Sequence, residues 1–439
     1  MIICYLTGGN TMNNIILKYL SVENFASFAN KVEFTTQIDS GKKELVKKEF
    51  ACNDMSFNKV SFIYGANGSG KTFFCKIIRE IHRLLEWSMI TAMNNSKILS
   101  LPQFKGISEP VATFAFDTAY KEKPTSFAME IVIEGITYRY EFSLLQKKVI
   151  YELLTKKNKR TEKLMERKSP SYKDIILKSE LKGFENTKNV VKEEALCLPA
   201  AALLNNELAG KINDAIMDIQ VVSMTAATLK PKNSKKAFSD ERLQKYIGIM
   251  RKADPTIRNI KVSFEESEVE HQNVDEDDFE NREVIVKKTT VAVESTHAMY
   301  SNGEEIEGRP IKFFADESLG TVKLFTALPY LFDILEEGGV LIIDEIENGL
   351  HLLLAKELVK LFMDESTNPN NAQLICTTHQ PLLLDGEFRR DQVWVVSKDE
   401  HAKSYLHRLS DLKTSRAKVN LVNKILEGAF GCNPERFFE

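Results

Sequence analysis

The sequence predicts an α/β fold that combines a parallel core sheet with a mixed β-sheet lobe. Three short runs at residues 60–64, 340–344 and 373–377 are almost entirely apolar (VSFIY, VLIID and QLICT). Runs of this kind, without polar alternation and set among helical stretches, are typical of strands buried on both faces of a parallel sheet. Residues 126–134 and 137–145 instead alternate apolar and polar side chains, which predicts the half-buried strands of the lobe.

The first third of the chain begins in the lobe and then enters the core sheet. Residues 15–35 alternate and break at Asn24, so they predict two strands joined by a turn. The apolar strand at 60–64 precedes residues 73–87, where apolar side chains recur at helical spacing. Residues 111–116 alternate as well and predict a further strand.

The middle of the chain has a different composition. Lys and Glu are abundant and periodicity is weak over residues 151–193, whereas residues 195–220 and 240–253 have helical patterns. Residues 265–283 are acidic and poorly patterned, which is typical of a solvated loop. We therefore predict a mainly helical insertion over residues 151–283 that ends in this acidic loop.

The last third returns to regular alternation of strands and helices. Helices are predicted over residues 318–335 and 350–363, on either side of the strand at 340–344. Further apolar strands are predicted at 373–377 and 392–396. The predicted organisation is thus one α/β unit, formed by residues 12–150 and 284–439 and interrupted by the insertion at 151–283.

Composition excludes several classes of protein. Of the 439 residues 43% are hydrophobic, and 59 Lys and Arg stand against 62 Asp and Glu, so the chain can form a large core and has no global basic field for nucleic acid. The six cysteines form no CxxC pair, which argues against a zinc or disulfide framework and predicts a cytoplasmic protein. No apolar run of about 18 residues occurs, so the sequence predicts no membrane span.

The first motif that carries chemistry follows the apolar strand at 60–64. It matches GxxxxGK[ST] in full and precedes a helix, as phosphate binding requires. Its residues are Gly65, Ala66, Asn67, Gly68, Ser69, Gly70, Lys71 and Thr72. The glycines let backbone N–H groups wrap phosphates at a helix N-terminus. Lys71 can reach the β- and γ-phosphates and Thr72 can ligate Mg²⁺, so the motif predicts a P-loop that binds ATP.

The second motif is the pair of carboxylates that ends the strand at 340–344. Asp344 is placed to hold Mg²⁺ through water, and Glu345 is placed to polarise an attacking water molecule. One carboxylate positions the metal charge and the other positions the nucleophile. The pair therefore predicts hydrolysis as well as binding.

Two weaker signals complete the set. His379 follows the strand at 373–377, where it can donate to the γ-phosphate or hold the water molecule. Ser318 and Gly320 open the helix before the Asp344 strand, where a hydroxyl and helix N–H groups can form an anion site. Ser318 is equally suited to be an ordinary helix N-cap, and on its own that interpretation is favoured.

In this order and spacing, the four motifs resemble the ATPase heads of the ABC superfamily. There a P-loop is followed by an insertion, a Ser-x-Gly signature, an apolar strand ending in Asp-Glu, and a switch histidine. DEIENGLH at 344–351 is similar to the Walker B and D-loop of the OLD-like branch, and ESLGT at 317–321 is similar to its signature. The ending at 423–434 is similar too, and the resemblance covers about residues 15–150 and 285–439. The branch includes ATPases of bacterial anti-phage systems, such as the PARIS ATPase AriA and the abortive-infection ATPases related to RloA.

The resemblance implies a Mg-dependent ATPase that works as a homo-oligomer. Ser318 and Gly320 would contact the γ-phosphate bound by the opposite subunit, so that two ATP molecules are sandwiched in a head-to-tail dimer. It also implies an ATP-driven sensor or scaffold that controls an effector, with a TOPRIM-type nuclease as the candidate. About sixty residues follow His379, too few for a fused domain of ordinary size, so the effector is expected to be a separate protein.

Two other functions remain open from the sequence. One is a RecF-like DNA-repair ATPase that clamps DNA, for which the small basic runs at 156–163 and 230–236 are the candidate contacts. The other is a scaffold that binds ATP and seldom hydrolyses it. Gln103 is the candidate for a Q-loop, and no adenine contact is predicted.

Overall fold

The computed structural model describes residues 15–38, 50–52, 55–93, 106–182, 186–225, 234–271, 284–385, 388–412 and 422. The chain divides into two compact units. The large unit comprises Met12–Thr225 and Leu331–Glu439, and the small unit comprises Met1–Thr11 and Ala226–Tyr330. Each unit is described by itself.

The strands are numbered in chain order. They are β1 (Ile15–Glu23), β2 (Val32–Thr35), β3 (Phe50–Cys52), β4 (Met55–Phe57), β5 (Val60–Tyr64), β6 (Thr125–Ile133), β7 (Ile136–Leu145), β8 (Lys148–Lys157), β9 (Thr161–Arg167), β10 (Ile176–Leu177), β11 (Gln220–Ser223), β12 (Ile257–His271), β13 (Val284–His297), β14 (Met299–Ser301), β15 (Glu304–Ile306), β16 (Pro310–Lys312), β17 (Val340–Asp344), β18 (Gln373–Thr378), β19 (Val393–Lys398) and β20 (Ser404–Arg408).

The longer helices are numbered in the same way. They are α1 (Lys71–Met93), α2 (Cys197–Leu203), α3 (Glu207–Met217), α4 (Asp240–Ala253), α5 (Leu319–Glu337) and α6 (Leu352–Met363). Within the part of the chain that the structure describes, no helix is both long enough and apolar enough to cross a membrane.

The lobe is an antiparallel sheet in the order β10-β9-β8-β7-β6-β1-β2. The predicted boundary between residues 150 and 151 is wrong, because it falls inside β8, which pairs with β7 along its length. Glu152 and Arg167 lie opposite each other in β8 and β9, and both are fully buried. Because charged residues occupy core positions in these strands, their sequences lack a clear alternation of apolar and polar residues.

The core sheet has the order β11-β17-β18-β5-β19-β20. Its first five strands are parallel, and β20 is antiparallel to β19. All residues of β5, β17 and β18 are buried, as their apolar sequences predict. This confirms the predicted α/β fold class.

The predicted helical insertion is not a single element of the structure. It contributes β8, β9 and β10 to the lobe, and β11 to the core sheet beside β17. Helices α2, α3 and α4 also lie in this range, with α4 as predicted. The boundary between 283 and 284 separates β12 from β13, which pair with each other. Residues 265–271 of the predicted acidic loop belong to β12, so that part of the prediction is wrong, and residues 272–283 lie outside the described residues.

Helix α1 joins the two sheets of the large unit. Phe74, Ile77 and Ile78 belong to one hydrophobic cluster with Leu17 of the lobe and Ile63 of the core sheet. The ring of Phe34 in β2 lies 5.1 Å from that of Phe74 and 5.1 Å from that of Trp394, measured between centroids. Packing on both sides therefore fixes where α1 begins, and with it the loop that precedes α1.

The small unit has a separate sheet and an aromatic core. Strands β12, β13 and β16 form a three-stranded antiparallel sheet, and β14 pairs with β15. The rings of Phe238, Tyr246, Phe313 and Phe325 pack together and are buried.

One strand prediction fails in the lobe. Residues 111–116 form irregular backbone, although Val111 and Phe114 are buried. The Phe114 N–H donates to Asn24 Oδ1 at 3.0 Å, so a side chain provides the partner that a neighbouring strand would provide. Alternation of apolar and polar residues in the sequence therefore does not identify a strand here.

Candidate functional site

The loop between β5 and α1 has the geometry of a phosphate cradle. Gly68 and Gly70 have φ values of +78° and +118°, which side-chain-bearing residues rarely adopt. A Cβ on Gly70 would lie 2.6 Å from Ser404 Oγ and 2.8 Å from Ser27 Oγ, so the space is also closed. Ser404 Oγ in turn donates to the Ser69 carbonyl at 2.6 Å. The predicted loop is therefore braced from behind by the lobe and by β20.

Lys71 lies folded over this loop. Its side chain donates from Nζ to the Gly65 carbonyl at 2.7 Å and to the Ala66 carbonyl at 2.8 Å, and the residue is 4% exposed. Burial lowers the pKa of Lys71, while the negative charges of Glu345, Glu347 and Asp344 act in the opposite direction. The lysine is thus a buried cation whose nearest opposite charges come from the segment after β17.

The two predicted metal ligands meet at the ends of α1 and β17. Thr72 Oγ1 donates to Asp344 Oδ1 at 3.4 Å, and Asp344 is 1% exposed. The same carboxylate oxygen accepts from Thr377 Oγ1 at 2.7 Å. The carbonyl of Asp344 accepts the Met224 N–H at 3.0 Å, so β11 also holds this strand end in place.

Glu345 turns sharply out of the strand. Its φ is +54°, an unusual value for a residue with a side chain. Its N–H donates to Thr377 Oγ1 at 2.7 Å, and its Oε2 accepts from Asn348 Nδ2 at 2.7 Å. The first bond holds the backbone of Glu345 at this turn, and the second holds its side chain.

Sequence reasoning missed the role of Thr377. Its hydroxyl accepts from Glu345 and donates to Asp344, so one buried side chain sets both carboxylate-bearing residues. The signal was present, because Thr377 ends the apolar run at 373–377 whose partner strand carries Asp344. A buried hydroxyl at the end of an apolar strand needs hydrogen-bond partners, so its presence there indicates that it bonds to polar groups nearby.

His379 lies beside the same cluster. Its N–H donates to Glu347 Oε1 at 2.8 Å, and its Nδ1 lies 3.0 Å from the same oxygen. The preceding residue, Thr378, accepts the Gly65 N–H at 3.3 Å. The structure therefore brings the predicted histidine to the same sheet edge as the P-loop and adds Glu347, which sequence reasoning missed.

The signature residues Ser318 and Gly320 belong to the small unit. Ser318 Oγ accepts the Thr321 N–H at 3.1 Å and lies 2.8 Å from Thr321 Oγ1, directly before α5 begins at Leu319. This confirms the N-cap interpretation of Ser318. The contact with ATP held by another subunit stays a prediction. Gln103 and the ending at 423–434 lie outside the described residues.

The arrangement fits a magnesium-bound triphosphate. Among the described residues, no three or more His, Cys, Asp or Glu side chains form a group able to hold a metal ion by themselves. Mg²⁺ in phosphate-transfer sites is bound through one or two protein oxygens together with substrate phosphates and water. Thr72 and Asp344 supply such oxygens at the N-terminus of a helix, which favours anions.

Comparison with known proteins gives a family and a distant structural likeness. The family model described as "AAA domain, putative AbiEii toxin, Type IV TA system" matches residues 60–183 and 235–385, more than half of the chain. The SMC head domain from Thermotoga maritima is similar at 12% identity with a TM-score of 0.33, covering 89% of this chain and 98% of that chain. No curated protein matches the sequence.

Proposed function

Because the chain belongs to the AAA-domain family whose model it matches, we propose that it is a Mg-dependent ATPase of the ABC, OLD-like type. The observation that carries the proposal is the meeting of Thr72 Oγ1 and Asp344 Oδ1 at 3.4 Å, beside a buried Lys71. A strand end, a helix start and a P-loop lysine converge where a metal and a triphosphate need them.

In the proposed reaction each side chain has one task. The loop amides and Lys71 would bind the phosphates, and the oxygens of Thr72 and Asp344 would hold a magnesium ion. Magnesium, when bound, offsets the negative charge that develops on the transferred phosphoryl group. Glu345 accepts a hydrogen bond from the attacking water, held in place by Asn348 and Thr377. The water oxygen bonds to the γ-phosphorus as the bond from phosphorus to the bridging oxygen breaks. ADP leaves with the electron pair of that bond, and both hydrogens of the water end on the released phosphate.

We also propose that the ATPase is the sensor or scaffold subunit of an anti-phage defence system with a separate effector, for which a TOPRIM-type nuclease is the candidate. The motif resemblance supports this role. The family description names a toxin of a toxin–antitoxin system, which supports an activity that a second component holds in check. In the proposed assembly, ATP sandwiched in a head-to-tail dimer presents the surface that binds the effector.

The test compares binding and turnover in matched variants. Isothermal titration with Mg·ATP should give binding by the wild-type chain and at least about 100-fold weaker binding by Lys71→Ala, because the variant loses the buried phosphate-binding cation. Lys360→Ala removes an exposed lysine of α6 and should bind as the wild type does. Unaltered binding by Lys71→Ala, or no phosphate release by the wild type at saturating Mg·ATP, would contradict the ATPase proposal.

The effector proposal needs a separate experiment. Glu345→Gln should accumulate the ATP-bound dimer, so it is the bait for a pull-down from native lysate with Mg·ATP. We expect a nuclease-type protein to be retained with ATP and released without it. Turnover stimulated by added DNA, with strong salt dependence, would favour the DNA-clamping alternative instead.

A further inference from the structure

Glu347 contacts His379 at two points through a single oxygen, by a hydrogen bond from the backbone and by a close approach of the ring. The backbone N–H of His379 lies 2.8 Å from Glu347 Oε1, and its ring Nδ1 lies 3.0 Å from the same atom. The Glu347 side chain is 9% exposed, whereas that of His379 is 42% exposed. A nearly buried carboxylate therefore contacts the Nδ1 side of a histidine ring that is partly exposed to solvent.

This contact favours one of the two positions for the ring proton. An ionised carboxylate oxygen accepts hydrogen bonds and repels a nitrogen lone pair, so a ring nitrogen 3.0 Å from Glu347 Oε1 is favoured in its protonated form. In a neutral imidazole the proton is then on Nδ1, and Nε2 is left with a lone pair. In this form Nε2 accepts a hydrogen bond and donates none.

The pair stands among the groups assigned to hydrolysis. Thr378, which precedes His379, accepts the N–H of the first P-loop residue, Gly65. The Ile346 N–H donates to the Thr377 carbonyl at 3.2 Å, so the segment carrying Glu347 is tied to the segment carrying His379. Glu347 also acts electrostatically on Lys71. Both members of the pair are thus held at the sheet edge that binds the phosphates.

The second oxygen of Glu347 makes a purely structural role less satisfactory. Glu347 Oε2 is buried and has no hydrogen-bond partner among the residues that the structure describes. Burying a carboxylate oxygen without a partner opposes folding, so a glutamate chosen only to fasten a loop would be a costly choice. Buried carboxylates with unfavourable surroundings of this kind are concentrated at functional sites.

From this geometry we infer that Glu347 is a positioning residue of the proposed ATPase. It fixes the Nδ1–H form of His379, so that neutral His379 holds the attacking water through Nε2 rather than donating to the γ-phosphate. The inference rests on the proposed hydrolysis, and it decides between the two roles that the sequence left open for His379. It assigns to Glu347 the part that a buried carboxylate plays behind many catalytic histidines.

A double-mutant cycle on turnover tests the coupling. Glu347→Ala should lower kcat by about 10- to 100-fold with KM for ATP changed by less than about 3-fold, and His379→Ala should do the same. The double variant should be no slower than His379→Ala, because Glu347 acts through that ring. Glu347→Gln keeps the acceptor oxygen and should recover most of kcat. Glu357→Ala, which removes an exposed glutamate of α6, is the control.

The ring tautomer can be measured without turnover. Nitrogen-15 NMR of His379 at a pH where the ring is neutral should show the proton on Nδ1 in the wild type and a shift toward Nε2 in Glu347→Ala. Equal Nε2 protonation in both proteins, or kcat losses that multiply in the double variant, would overturn the inference. Failure of the wild type to hydrolyse ATP would sink the proposed function, whereas the tautomer measurement would still decide the role of Glu347.

Discussion

The nucleotide edge of the core sheet and the signature segment of the small unit are built in opposite ways. At the sheet edge, Asp344, Glu345 and Thr377 bind one another through buried hydrogen bonds. At the signature, the Ser318 hydroxyl is engaged by the first turn of its own helix, and its neighbour Leu319 is 62% exposed. The first region is assembled within one chain, and the second leaves apolar surface uncovered.

The difference indicates where the proposed active site is complete and where it is not. In the proposed site, phosphate binding and metal binding would need only residues of the large unit, because Thr72, Asp344 and Thr377 already meet there. The signature segment makes its hydrogen bonds within the small unit, from Ser295 and His297 to Glu317 and from the Thr321 N–H to Ser318. Phe314, close by in sequence, is 45% exposed. Exposed apolar residues around a helix N-terminus are what a subunit contact would cover, which supports the proposal that the signature acts on another copy.

The largest expected effect is at the sheet edge. Glu345→Gln should lower kcat by about 100- to 1,000-fold, because the neutral amide is a poor acceptor for the water proton, while the affinity for Mg·ATP stays within about 3-fold. Phosphate release and titration calorimetry measure the two quantities. Turnover equal to that of the wild type would show that Glu345 takes no part in the reaction. It would also contradict the assignment of catalysis to the sheet edge.

A bulky substitution in the signature should lower turnover by blocking assembly. Ser318→Arg places a bulky charge where a second copy is proposed to dock, so ATP-dependent dimers should be lost from mass measurements while ATP binding by the single chain remains. Ser318→Ala is the size-matched control and should still dimerise. A Ser318→Arg chain that dimerised on ATP and turned over normally would make the signature an N-cap and nothing more.

Mixing variants sharpens the same point. Lys71→Ala keeps an intact signature, and Ser318→Arg keeps an intact P-loop, so a head-to-tail pair of the two has one complete site. A 1:1 mixture should regain about a quarter of wild-type turnover if partners exchange freely and sites act independently. Two inactive proteins that stay inactive when mixed would contradict a site shared between subunits.

The predictable part of the molecule follows from local chemistry. The P-loop and Asp344 are recognisable because an apolar strand, a glycine loop and a helix start have characteristic sequences, and the structure brings Thr72 to Asp344 as expected. The strands of the core sheet are predictable for the same reason, since burial on both faces leaves few polar positions.

The part that sequence reasoning missed depends on long-range pairing. β8 and β9 carry the buried charges Glu152 and Arg167, whose partners are backbone groups and side chains distant in sequence. Nothing local distinguishes them from charges on a solvated helix. Thr377 and Glu347 were missed for a similar reason, because their roles exist only once β17 and β18 lie side by side.

A smaller effect is expected where a single hydroxyl links the two carboxylate-bearing residues. Thr377→Val keeps the shape of the side chain but removes the donor to Asp344 and the acceptor for the Glu345 N–H. We expect a loss of about 1–3 kcal/mol in the free energy of unfolding and about a 10-fold weaker apparent affinity for Mg²⁺. Thr161→Val, at an exposed threonine of β9, is the control. Denaturant melts and magnesium titrations of turnover would detect either change, and unaltered values for both would refute the bridging role.

The smallest effect belongs to the helix cap itself. Ser318→Ala removes the acceptor of the Thr321 N–H, so the free energy of unfolding should fall by about 1 kcal/mol. Because that hydroxyl is also proposed to contact nucleotide held by another copy, turnover should fall more than stability explains, and added Mg·ATP should not restore it. A Ser318→Ala chain with lower stability and wild-type turnover would reduce the hydroxyl to a cap. The signature would then contribute to the proposed interface only by packing, whereas the sheet edge would supply all the groups that act on the nucleotide.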